Sequence, residues 1–277
     1  MNMLEYNLFF DESTVLASSD NPLEVSLMGC LIVPKSYYEL ESITIENNKV
    51  KSGEYKLHFT AFKKSDKRKY RNVLNAFLKN PKILKMNLIS FERKDVGIIS
   101  HVAYSSENMK DMIYSKLPER TIYGGVRNIS KFRPIHFDLY IENSNEYTSL
   151  KINDALKTQL NSQALYRNDS FCIRESKLYG KNQEIGIEVT DTLIGIISIL
   201  LRNPSKYDAT NKVVKSRKEK LKFIYDNKDI IESFLPSVNY FELGKSGQFI
   251  KRDLDKFFHE FILKYEFENP QIDITVN

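Results

Sequence analysis

Along this chain the apolar positions switch between short continuous runs and helical spacing, an alternation that predicts an α/β protein. Residues 5–11 read as a first strand, carrying Leu8, Phe9 and Phe10 up to Asp11. Residues 24–33 (EVSLMGCLIV) read as a second, bounded by the Asp20-Asn21-Pro22 turn and by Pro34, with a hairpin as the natural connection. Residues 36–43 have the pattern of a short helix and 47–53 (NNKVKSG) that of a polar, glycine-ended loop. Lys64 to Leu78 places Tyr70, Val73, Leu74, Phe77 and Leu78 on one side of a helix and a basic face opposite, and Pro81 ends it.

Residues 83–91 (ILKMNLISF) predict a third strand. A helical stretch over 106–118 leads through Pro118 and the flexible pair Gly124-Gly125 to a fourth strand, 134–142, which Asn143-Ser144-Asn145 stops. Residues 147–162 read as helix, 169–177 as a fifth strand, and 184–202 as a strongly apolar helix ending before Pro204. Three antiparallel strands, then helix, strand, helix, strand, helix, is the element order of a ribonuclease-H-like fold. It implies a mixed five-stranded sheet flanked by helices. Beyond Pro204 the composition shifts: Lys206 to Lys222 is lysine-rich, Ile224 to Leu235 is amphipathic, and Phe257, Phe258, Phe261 and Tyr265 fall at helical spacing. The expected organisation is a ribonuclease-H-like core over 1–204 and a helical appendage over 205–277.

Composition narrows the class. At 277 residues with 42% apolar content the chain has ample material for a core. No apolar run approaches the roughly 20 residues of a membrane span, since Glu188, Thr190 and Asp191 interrupt the longest one. The start goes straight into a strand without a basic n-region, so a cytoplasmic location without membrane partners is expected. Cys30 and Cys172 lie in apolar strand-like runs, and no C-x-x-C or Cys/His cluster suggests a structural zinc site. A net charge of +5 permits an anionic partner without demanding one. A P-loop sequence does not occur.

Three separated acids stand out because each is attached to a hydrophobic element. Asp11 closes the first apolar run, Glu142 closes the run Ile135 to Ile141, and Asp191 lies inside the run Ile185 to Leu201. Carboxylates at such places offer hard oxygens to divalent cations. Each also has a plainer reading. Asp11-Glu12-Ser13 suits a turn and cap, and Glu142 suits a solvated strand end. Asp191, amid Ile, Val and Leu, must find a partner, a metal or a surface.

The opening FFDES, the segment LHF at 57–59 followed by a basic helix, the strand LYIENS and the run IEVTDTLIGII together resemble the bacterial domain-of-unknown-function family 3800 over residues 5–202. That family is similar to ribonuclease H and the retroviral integrases. The resemblance implies a metal-dependent phosphodiesterase on nucleic acid, with Mg²⁺ or Mn²⁺ held by Asp11 centrally and by Glu142 and Asp191 to either side. Glu12 and Glu188 stand as auxiliary groups, His58 as a group orienting water or phosphate, and Lys56 as a counter-charge to phosphate. The sequence departs from the family at Thr14, where glycine is usual, and at Glu188-Val189-Thr190-Asp191, where Gln-x-Ala-Asp is usual. It departs again at Lys56, near which the family places its second acid. Glu54 would share a face with that position if the segment were extended. A role in mobile-element biology or phage defence is implied only by the resemblance.

Lys63, Lys64, Lys67, Arg68 and Arg71 form a basic face suited to a phosphate backbone, as does Lys212 to Lys222; an ordinary solvated helix face is the alternative. The competing function is a catalytically inactive module of the same fold that binds nucleic acid or protein, with a protein partner or homo-oligomer open. Lys56 in place of an acid is its best support.

Overall fold

The structure, a computed structural model, describes residues 3–13, 25–92, 112–127, 129, 133–207, 210–244 and 247–270. Seven strands build one mixed sheet: β1 (Leu4–Ser13), β2 (Val25–Pro34), β3 (Lys85–Glu92), β4 (Ile135–Glu142), β5 (Phe171–Tyr179), β6 (Val238–Leu243) and β7 (Phe249–Arg252). Their order across the sheet is β5-β4-β1-β2-β3-β6-β7. β1, β2 and β3 pair antiparallel; β4 runs parallel to β1, β5 parallel to β4 and β6 parallel to β3, and β7 closes the far edge antiparallel.

Ten α-helices are described: α1 (Lys35–Tyr38), α2 (Glu41–Lys51), α3 (Lys67–Leu78), α4 (Leu117–Val126), α5 (Asn145–Ser149), α6 (Ile152–Arg167), α7 (Ile185–Arg202), α8 (Lys215–Asp226), α9 (Lys228–Phe234) and α10 (Leu254–Glu268). They cover the two faces of the sheet over separate cores. Phe9, Leu31 and Leu88 join Tyr70, Ile194, Phe223 and Phe261 from α3, α7, α8 and α10. On the other face Leu8, Phe10 and Met28 join Ile122, Leu156 and Leu160 from α4 and α6. Neighbouring residues of one strand thus feed different cores, as the two-residue period of a strand requires.

The α/β class follows the hydrophobic pattern, and several elements differ from it. The sheet has seven strands where five were expected, because β6 and β7 add the stretch 238–252 to the edge of β3. The expected helical appendage therefore contains two strands. The expected loop 47–53 is mostly helix: Ile43, Glu46 and Val50 are buried along one side of α2, and Gly53, at φ 79°, ends it. Of the helical stretch 106–118, residues 106–111 lie outside the described residues; a π-helical turn, Met112–Lys116, leads into α4. The pair Gly124-Gly125 lies within α4 instead of acting as a flexible link. A Cβ there would fall 2.8 Å from the Asn87 amide or the Ile32 side chain, so the glycines let α4 sit close to the sheet. Cys30 is buried, whereas Cys172 is exposed on the edge strand β5. Among the described residues no helix is long and apolar enough to cross a membrane.

Candidate carboxylate site

β1 and β4 bring the first two acids together. Their parallel register aligns Phe10 with Ile141, so the next level of the ladder holds Asp11 and Glu142. Phe9 and Tyr140, two residues earlier on the same face, meet at 5.1 Å between ring centroids. α7 crosses that face, packing Gly186 against the Phe9 ring, and carries Asp191 to the same end of β1.

Asp11 is the floor of this site, with 1% of its surface exposed. Its Oδ1 accepts the Glu12 amide at 2.7 Å, while its buried Oδ2 has no hydrogen-bond donor among the described residues. Burial, then the Glu142 carboxyl within hydrogen-bond reach, then Asp191, push the Asp11 carboxyl well above the usual carboxylate range. Unless a proton or cation lies between them, Asp11 and Glu142 repel. The counter-charge visible at Glu142 is Lys181, with Nζ 3.7 Å from Oε1.

Asp191 is held from a different direction. Its Oδ2 accepts the Phe59 amide at 2.9 Å and lies 3.5 Å from His58 Nδ1. Contact with Asp191 raises the His58 pKa above the ordinary histidine value, against a smaller opposing effect of burial. His58 is fixed through its backbone, whose amide donates to the Tyr70 hydroxyl at 2.7 Å. Glu188, one turn before Asp191, is buried and accepts the Asn182 amide; burial pushes its carboxyl up to about 7, and Asp191 and Glu142 add to the rise.

The remaining sequence candidates separate. Glu12, adjacent to Asp11 on the strand, turns to the opposite face, where it accepts the Tyr147 hydroxyl; burial pushes its carboxyl up to about 7. Glu54 is exposed in a bend after α2, not in a strand, so the shared face with Lys56 does not form. Lys56 is exposed and its carbonyl accepts Lys69 Nζ. On the basic face, Lys67 is tied to Glu219 of α8 at 3.0 Å, while Lys63, Lys64, Arg68 and Arg71 are exposed.

Three contributors escaped sequence reasoning as site residues. Lys220 of α8 reaches the rim, donating to the Thr60 carbonyl at 2.8 Å and lying 5.5 Å over the Phe59 ring. Burial pulls its ammonium below the ordinary lysine range, and nearby Asp191 opposes that fall. Its signal was the lysine-rich run, which placed it near phosphate without placing it near Asp191. Asn182, at φ 58°, links Leu57 to α7 by accepting the Leu57 amide at 2.6 Å, and Lys181 faces Glu142. Neither had a sequence signal beyond a polar turn.

The donor chemistry suits a hard divalent cation: carboxylate oxygens, one of them buried without a donor, with raised proton affinity that a cation would offset. The spacing is looser than that of a closed site. Among the described residues no group of three or more His, Cys, Asp or Glu side chains is gathered tightly enough to hold a metal ion. Comparisons with protein-family models, curated proteins and solved structures found no match for the chain.

Proposed function

We propose that this chain is a ribonuclease-H-like phosphodiesterase that cleaves nucleic acid with Mg²⁺ or Mn²⁺ at the Asp11, Glu142 and Asp191 carboxylates. The observation that carries the reading is Asp11 itself: a buried carboxylate with an orphaned Oδ2, facing two further acids from separate elements. Burying like charges together is costly and serves no packing purpose that an amide or apolar residue would not serve better. The fold assignment is supported by the central order β5-β4-β1-β2-β3, with three antiparallel strands and two parallel additions. The substrate class rests on the sequence resemblance alone, with no family model matching the chain.

Asp11, Glu142 and Asp191 would hold the cation. When bound, the ion supplies a Lewis acid for the phosphate and an acidified water. The chain's own groups frame that chemistry. Lys181 and Lys220 set positive charge beside the carboxylates, where a phosphodiester would lie. His58, its proton affinity raised by contact with Asp191, stands at the rim where it would offer a proton to a departing oxygen. Glu188 braces the Asn182 turn and so the segment bearing His58.

The second reading, an inactive binding module, is favoured by two observations: the exposed Lys56 where an acid is usual, and the open spacing of the acids. One experiment separates them. Single- and double-stranded DNA and RNA are incubated with the protein and either metal, and melting is followed as Mn²⁺ is added. Metal-dependent cleavage with a rising melting temperature, both lost in Asp11→Asn, supports the enzyme. No cleavage of any substrate and a melting temperature indifferent to Mn²⁺ leave the binding module.

A further inference from the structure

On the sheet face opposite the carboxylates, the structure places a cluster of arginines around a cleft of about 120 Å³. Arg120 and Arg127 lie seven residues apart on and just past α4, with Tyr123 between them, which puts all three on one side of the helix. Arg167 arrives from the C-terminal end of α6, its guanidinium 5.3 Å over the Tyr123 ring. The floor is Asn87 of β3. Its Nδ2 donates to the Thr121 carbonyl at 2.8 Å, and its buried Oδ1 has no donor among the described residues. The far wall is Phe241 of β6 and Phe249 of β7.

Three features of this cleft agree. Among the described residues no acidic side chain lines it and none of the three arginines is ion-paired; the Asp169 carboxylate behind Tyr123 accepts that residue's hydroxyl at 2.6 Å and leaves the three guanidinium groups without a direct partner. Guanidinium groups match phosphate through paired N–H donors, better than any other side chain. Phe249 keeps 37% of its surface in water on an edge strand that is exposed throughout, beside the arginines. A flat apolar ring beside free guanidinium groups suits the π-face of a base. The volume accommodates a phosphate group but not a whole nucleotide, so a base would lie on the open aromatic side.

We propose that this cleft binds a nucleotide unit, with its phosphate on Arg120, Arg127 and Arg167 and its base against Phe249, at a site separate from the carboxylates. The inference does not need the nuclease reading: α4 and α6 stand on the Phe10 side of the sheet, and Asp11 on the Phe9 side.

The test is binding measured in EDTA, where cleavage is silent, so the failure of one proposal is read apart from the other. The probes are a fluorescein-labelled oligothymidylate of about ten nucleotides and adenosine 5′-monophosphate. The Arg120→Ala/Arg167→Ala variant is expected to weaken binding about tenfold or more and to flatten the logarithmic salt dependence by about 0.7 for each phosphate no longer neutralised. Phe249→Ala is expected to weaken oligonucleotide binding severalfold with the salt dependence unchanged. All three side chains are exposed or at the rim, and unaltered melting checks that the variants fold. Tighter binding of the oligonucleotide assigns the cleft to a strand, and equal binding assigns it to a free nucleotide; either sustains the site. Absence of binding by the unmodified protein overturns it. So does binding by the arginine variant equal to that of the unmodified protein, or an equal loss in Lys64→Ala/Arg68→Ala on the other basic face.

Discussion

The backbone amide of Phe59 donates to Asp191 Oδ2 at 2.9 Å, so the segment after α2 is fastened to α7 through a residue of the proposed site. One carboxylate therefore has two jobs that substitution can pull apart. Asp191→Asn keeps an oxygen for the Phe59 amide and is expected to fold with near-native stability while losing cleavage. Asp191→Ala leaves that amide without its acceptor and is expected to lose about 1–3 kcal/mol as well. Urea unfolding and a cleavage assay check the pair; equal stability of the two variants removes the anchoring role.

Asp11 should be an acid that costs the fold stability. Its carboxyl is buried against Glu142 and Asp191, so Asp11→Asn is expected to raise the melting temperature of the metal-free protein while abolishing both cleavage and the stabilisation by Mn²⁺. A metal-free Asn variant that melts lower than the unmodified protein contradicts the repulsion between these acids.

The pH dependence has a definite sign. Glu12, Glu184 and Glu188 are each pushed up to about 7, and Asp11 moves the same way, whereas unfolded glutamates titrate near about 4.3. Between those values the native state binds more protons than the unfolded state, so stability falls as pH rises. The raised His58 contributes in the same sense, its stabilisation being lost as pH passes through its folded value. Metal-free protein is expected to melt progressively lower from about pH 5 to about pH 8, with Mn²⁺ recovering part of the loss at the upper end. Scanning calorimetry across that range tests it, and a flat or rising profile speaks against it.

Glu12 and Asp11 are neighbours with separate fates, and Tyr147 makes the difference measurable. Removing the Tyr147 hydroxyl leaves the Glu12 carboxyl buried without its donor, at a cost of about 1–3 kcal/mol. Tyr147→Phe is thus expected to lower stability while leaving cleavage per folded molecule close to that of the unmodified protein. A selective loss of cleavage with stability intact would draw Glu12 into the carboxylate site.

What the chain made legible divides by how local the cause is. Asp11, Glu142 and Asp191 could be singled out because each interrupts or ends an apolar run, and that contrast lies within a few residues. The opposite orientation of Glu12 was implicit in strand alternation, since Phe9 and Phe10 already part company. Glu54 was misplaced because the irregular path of 54–58 is set by distant partners, Asn182 at Leu57 and Tyr70 at His58. β6 escaped because its buried residues, Tyr240 and Leu243, are three apart and break the two-residue period of a strand, and β7 because it is short and exposed on every residue. The helix through Gly124-Gly125 runs against intrinsic propensity and is sustained by close packing on Asn87 and Ile32, which no local window contains.

Gly195 lies one helical turn after Asp191 on α7, and a Cβ there would fall onto the Phe59 ring. The same phenylalanine thus rests its ring on α7 while its amide reaches Asp191, and Phe62 and Tyr70 crowd the ring from other sides at 5.7 and 6.0 Å. Two effects compete in Gly195→Ala. Helix propensity favours alanine by about 1 kcal/mol, whereas overpacking a ring without room to retreat costs about 1–3 kcal/mol. The clash should win, and because the ring's displacement also moves the amide, cleavage should fall further than the stability loss accounts for. Adding Phe59→Leu should return part of both by relieving the crowding. Melting and cleavage measured on the single and double variants decide it; a Gly195→Ala protein as stable and active as its parent means that Phe59 is not wedged against the helix.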